Sequence, residues 1–153
     1  MFCIRRFQNF ALTTFLALPL FGAMMMQGSN AKTSPAKNAW QETLSNDGSW
    51  RVKWRVLVDG RESELPIVRR RFTIELNIES TRNPKELPNF VMVDAQMPDH
   101  GHGMNVAPTI ILEKSGECRA EGMLFHMSGR WEVDVDIDDG ITVERAQWNI
   151  PMY

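Results

Sequence analysis

The sequence predicts an all-β protein: an immunoglobulin-like antiparallel β-sandwich of about seven strands, preceded by an N-terminal signal or anchor helix. Three observations carry that prediction. Apolar residues recur at every second position in several separate runs, turn formers punctuate the runs, and no stretch after residue 31 carries an apolar stripe at helical spacing. A small barrel is the alternative closure of the same strands.

Arg5 and Arg6 form a positive start, Phe10 to Met26 an apolar run interrupted by Pro19 and Gly22, and Ser29-Asn30-Ala31 a small-residue cleavage site. This reads as a signal peptide over 1–31, with an uncleaved membrane anchor as the alternative because the run falls little short of the ~20 residues that span a bilayer. Cleavage leaves 122 of the 153 residues, one domain's worth, and moves the formal charge from −2 to −4. An acidic domain is a poor nucleic-acid partner, and the one basic cluster, Arg69-Arg70-Arg71, reads as a solvated strand edge. Of the two cysteines, Cys3 leaves with the signal, so Cys118 has no partner and reads as a small buried hydrophobe. The expected location is periplasmic or secreted, with membrane contact only through an uncleaved N-terminus.

Residues 32–47, rich in Lys, Ser, Thr and Asn, read as a linker to a domain spanning 48–153, so removal of 1–47 is expected to leave a folded unit. Trp50, Val52, Trp54, Val56 and Val58 alternate with polar residues, as a half-buried strand requires. Phe72 to Ile78 repeats the pattern, and Val91, Val93, Ala95 and Met97 form a third set. Pro108 to Leu112 restarts a strand, Ser115-Gly116 turns it, and Arg119 to Met127 follows. Trp131, Val133, Val135 and Ile137 then alternate with four acidic residues. Asp139-Gly140 predicts a two-residue hairpin turn, with the last strand starting at Ile141. There the apolar phase slips between Val143 and Ala146, which a bulge near Glu144 and Arg145 would explain. The tryptophans mostly follow the strand phases and read as core fillers.

Soft metal-ligand side chains gather in two places. Met97-Pro98-Asp99-His100-Gly101-His102-Gly103-Met104 holds two of the three histidines, and His126-Met127 holds the third. Imidazole with thioether suits copper, Cu(I) especially, better than it suits hard ions. His100 and His102 stand two apart, so extended backbone puts both rings on one side of the chain, where they can share an ion. Pro98 ends the preceding strand, which places His100 just beyond the sheet. Alternation with Met123 and Phe125 makes Met127 a core residue and His126 the ligand. Met97 keeps phase with Val91, Val93 and Ala95 and reads as core, whereas Met104 lies free in the loop. Asp99 either orients an imidazole or is an ordinary turn residue. The competing reading of the whole stretch is a Gly-rich turn that carries surface histidines. No phosphate-binding loop, zinc-type cysteine pair or segregated pair of carboxylates appears, so the expected protein is not an enzyme.

The segments Asp94-Ala95-Gln96-Met97-Pro98-Asp99-His100-Gly101-His102-Gly103-Met104, Pro108, and Gly122-Met123-Leu124-Phe125-His126-Met127-Ser128-Gly129-Arg130-Trp131-Glu132-Val133 resemble the YtkA-like domain, related to FixH-type proteins. The resemblance runs from about Phe72 to Asp138. It implies an exported or membrane-tethered bacterial β-sandwich with a role in copper handling or respiratory-complex assembly, and an envelope or respiratory-assembly protein as partner. By likeness to periplasmic copper carriers, the ligands would fall on His100, His102, Met104, His126 and Met127. A closely spaced Met-rich tail of the kind used for copper storage is lacking. Two functions are therefore expected: a copper carrier, or an interaction module whose histidine loop contacts another envelope protein and binds no metal.

Overall fold

The computed structural model describes residues 40–153; the signal read over 1–31 and residues 32–39 lie outside the described residues. Ten strands follow one another: β1 (Gln41–Leu44), β2 (Trp50–Val58), β3 (Arg61–Ser63), β4 (Arg71–Ser80), β5 (Phe90–Met97), β6 (His102–Gly103), β7 (Thr109–Leu112), β8 (Glu117–Leu124), β9 (Gly129–Asp138) and β10 (Val143–Met152). They pair into two antiparallel sheets, one ordered β1-β2-β4-β8-β7 with β3 added to β2, the other β10-β9-β5-β6. Among the described residues there is no helix.

The period-two runs explain the layering. In β2 every even residue from Trp50 to Val58 is buried, while Lys53 and Arg55 pair across the outer face with Glu79 (3.0 Å) and Glu75 (2.6 Å) on β4. The inward residues of both sheets merge into one apolar core. Aromatic pairs bridge it: Trp54 of β2 stacks on Trp148 of β10 with ring centroids 4.6 Å apart, and Phe125, just past β8, stacks on Trp131 of β9 at 4.5 Å. Trp40 differs from the other described tryptophans, since it lies partly exposed under the Arg55 guanidinium, 4.6 Å from its ring centroid.

Seven of these strands match the predicted runs, and β1, β3 and β6 are additional. β1 falls inside the stretch read as linker. Its four residues present no buried apolar face, and main-chain pairing with β2 carries it. Ser45 then crosses to the other sheet, where its hydroxyl donates to the buried Glu144 carboxylate at 2.6 Å. Deleting residues 1–47 should therefore cost about 1–3 kcal/mol relative to deleting 1–39, because a buried carboxylate loses a donor. Urea unfolding of the two truncated proteins measures this, and equal midpoints would contradict it.

The expected bulge in β10 is absent. Pairing runs without interruption from Val143↔Asp138 to Met152↔Gly129. The apparent slip arises because Ile141 (92 % exposed) and Val143 (62 %) are not core residues, and Glu144 takes the inward position. Asp139 accepts the Ile141 and Thr142 amides, so the turn is wider than two residues and the strand starts at Val143. A register shift lies instead in β8, where Phe72 pairs Met123 but Thr73 pairs Glu121, and Gly122, at φ +84°, takes up the extra residue. This inverts the inward parity from Cys118 and Ala120 to Met123 and Phe125. β8 ends at Leu124 rather than Met127.

Candidate metal centre

The histidine loop is a tight β5–β6 hairpin. The Met97 carbonyl accepts the amides of His100 (3.0 Å) and Gly101 (2.9 Å), and Gly101 closes the turn at φ +69°. The chain returns with His102 directly opposite Met97 and Gly103 opposite Gln96, and the Met104 amide donates to the Ala95 carbonyl at 3.0 Å. Directly opposed residues share a face, so His102 comes back on the side of the buried Met97 while His100 stays out in the turn. Gly103 permits the close return, since a Cβ there would stand 3.2 Å from the Ala95 carbonyl.

His126 arrives from the other sheet, in the connection between β8 and β9. Arg69 holds that connection through its amide to the Phe125 carbonyl (2.8 Å) and its Nε to the His126 carbonyl (3.3 Å). From β9, Trp131 Nε1 donates to the Met127 carbonyl at 3.0 Å. The three imidazoles consequently form a row. His102 lies 5.8 Å from His100 and 5.1 Å from His126, centroid to centroid, and Trp131 meets His126 edge-on at 5.3 Å. Ring nitrogens ~2.0 Å from a common ion at a tetrahedral angle put two centroids roughly 5 Å apart, which the His102–His126 spacing of 5.1 Å matches and the His100–His102 spacing of 5.8 Å exceeds. Among the described residues, His126 Nδ1 is buried without a hydrogen-bond partner.

Sequence reasoning thus brought His100 and His102 to the correct end of a strand, and the fold adds His126 to them. Met104 is not free in the loop: it is partly buried and packs on the core, as Met127 does. Asp99 does not orient an imidazole by hydrogen bond. Its carboxylate takes both prongs of Arg130, at 2.8 and 3.1 Å, and Arg130 also donates to Asn149 at 3.2 Å, so the pair ties the hairpin tip to β9 and β10. Cys118 is buried opposite Leu76, its thiol pushed up to about 11 by burial. The Arg triplet is exposed as expected, with Arg70 paired to Asp59 and Arg71 donating to the Gly122 carbonyl. Trp131 as the floor of the row was missed, although the motif Gly129-Arg130-Trp131 signalled an aromatic just after a turn. Among the described residues, no group of three or more His, Cys, Asp and Glu side chains stands close enough together to hold a metal ion.

Three carboxyls are held below the ordinary carboxylate range. Asp99 is lowered by the Arg130 hydrogen bond and charge, and Asp139 by the Thr142 and Ile141 amides. For Glu144, burial pushes upward, but the Ser45 and Ser49 donors and the Arg82 charge outweigh it. A depressed folded-state pKa contributes stability above the unfolded value, and this is lost as pH falls through the folded one. Melting temperature should therefore drop below about pH 4, where free carboxylates begin to protonate. Glu144→Gln should make that drop shallower, and an unchanged pH profile in this variant would refute the assignment.

No protein-family model, curated protein or solved structure matches this chain.

Proposed function

We propose that the chain is an exported metal-binding β-sandwich of the immunoglobulin-like type, akin to YtkA-like domains. Its metal in this reading is copper, held for delivery to, or assembly of, an envelope or respiratory complex. The observation that carries the reading is the row of imidazoles, 5.8 and 5.1 Å apart, assembled from two sheets at one end of the core. His100, His102 and His126 supply nitrogen, and Met104 and Met127 are the thioether candidates for Cu(I). The leader sequence supports export, and non-sequential neighbours such as β4 beside β8 support the immunoglobulin-like assignment.

Anaerobic competition titrations with Cu(I) and Cu(II) test it. His102→Ala should weaken binding most, since the central ring neighbours both others, and His100→Ala and His126→Ala should each cost about 10–100-fold or more. Met104→Leu should give a smaller loss confined to Cu(I). Unchanged affinity in all three histidine variants removes copper.

A second reading, the envelope interaction module, has its own observation. On the outer face of the β10-β9-β5 sheet, Phe90 (56 % exposed) and Val143 flank Asp138 in one cross-strand row, with Met92 and Asp136 in the next. Exposed apolar side chains grouped in this way mark contact surfaces. Under this reading Phe90→Ser disrupts association with an envelope partner.

A further inference from the structure

We infer that Met97, a residue the strand alternation assigns to the core, is the thioether that sets the oxidation-state preference of the histidine site; this rests on the copper reading above. Two placements support it. Met97 stands directly opposite His102 in the β5–β6 ladder and so shares its face, with Cβ atoms of such a pair about 4.5–5.5 Å apart. Independently, Met97 and His100 both approach Gly129. A Cβ on that glycine would stand 2.5 Å from Met97 Cε and 3.9 Å from His100 Nε2, and Gly129 lies at φ +132°, where side chains are strongly disfavoured. The Met97 methyl thus fills the space that a Cβ on Gly129 would need, an imidazole nitrogen of His100 lies near the same glycine, and the sulfur is one bond from that methyl.

The chemistry agrees with the placement. The histidine row offers nitrogen donors. A neutral, polarisable sulfur beside them favours Cu(I) over Cu(II) and adds no charge to a site at the core margin. Met104 and Met127 have no such double placement against the imidazole row.

The test uses the full chain labelled with ¹³C at the methionine methyls, titrated anaerobically with Ag(I) as a diamagnetic stand-in for Cu(I), and Met→Leu variants to assign each resonance. The Met97 methyl should shift the most on the first equivalent. Met97→Leu, which conserves approximate volume, should weaken Cu(I) binding at least tenfold and move Cu(II) affinity less than about threefold. A largest shift at Met104 or Met127, or equal losses for both oxidation states, overturns the assignment while leaving copper binding intact. If wild type takes up neither Ag(I) nor Cu(I), the copper reading itself fails, and this inference with it. If Met97→Leu does not fold, the Met97 resonance is assigned by elimination from the other Met→Leu variants, and the labelled wild-type titration still decides the point.

Discussion

Trp131→Ala should destabilise the domain by about 3–5 kcal/mol, a large share of the ~5–15 kcal/mol that separates folded from unfolded chains. The indole is fully buried, stacks within 4° of parallel on Phe125 from the opposite sheet, and donates to the Met127 carbonyl at 3.0 Å. Truncation leaves a cavity between the layers and an unpaired carbonyl in the connection that presents His126. On the copper reading proposed above, the same substitution should also abolish copper binding in any fraction that stays folded, because His126 and His102 lose the ring edge they pack on. Trp131→Phe separates the two contributions. It keeps most of the stacking and loses the hydrogen bond, for about 1–3 kcal/mol. Urea unfolding reads both, and a Trp131→Ala protein within 1 kcal/mol of wild type would mean that this indole does not hold the layers together.

Gly116→Ala should be the costliest change outside the core, about 2–4 kcal/mol from left-handed strain plus overpacking. Gly116 turns β7 into β8 at φ +86°, and a Cβ there would stand 2.6 Å from the Ile78 carbonyl oxygen. That oxygen belongs to β4, whose Ile78 amide in turn donates to the Gly116 carbonyl at 3.0 Å, so relief requires breaking the bond that docks the turn. Gly140 is the internal control. It has a similar φ of +89° with nothing within 4 Å of a built Cβ, so Gly140→Ala should show the strain alone, about 1 kcal/mol. Equal losses at the two glycines would show that the Ile78 contact relaxes freely.

The legible parts of the fold are those in which side chains decide. β2, β4, β5 and β9 bury every second residue, and that alternation is written in the sequence whatever the partner strand is. β1, β3 and β6 escape the same reading because main-chain pairing carries them and their short runs have no apolar face. Glu144 shows the converse. A carboxylate in an inward position looks like a slip of phase until Ser45 and Ser49, nearly a hundred residues away, are seen to donate to it.

At the candidate site, the sequence by itself determined that His100 and His102 lie together, because the single residue Gly101 separates them and ties both to one hairpin end. It also determined the soft character of the donors. Only the tertiary structure decided that His126 joins them, that Asp99 holds Arg130 instead of an imidazole, and that Met97 and His100 both approach Gly129. The physical reason is that these contacts join different strands and sheets. They depend on the register shift at Gly122, the stacking of Phe125 on Trp131 and the missing Cβ of Gly129, which take effect only once the two layers close on a common core.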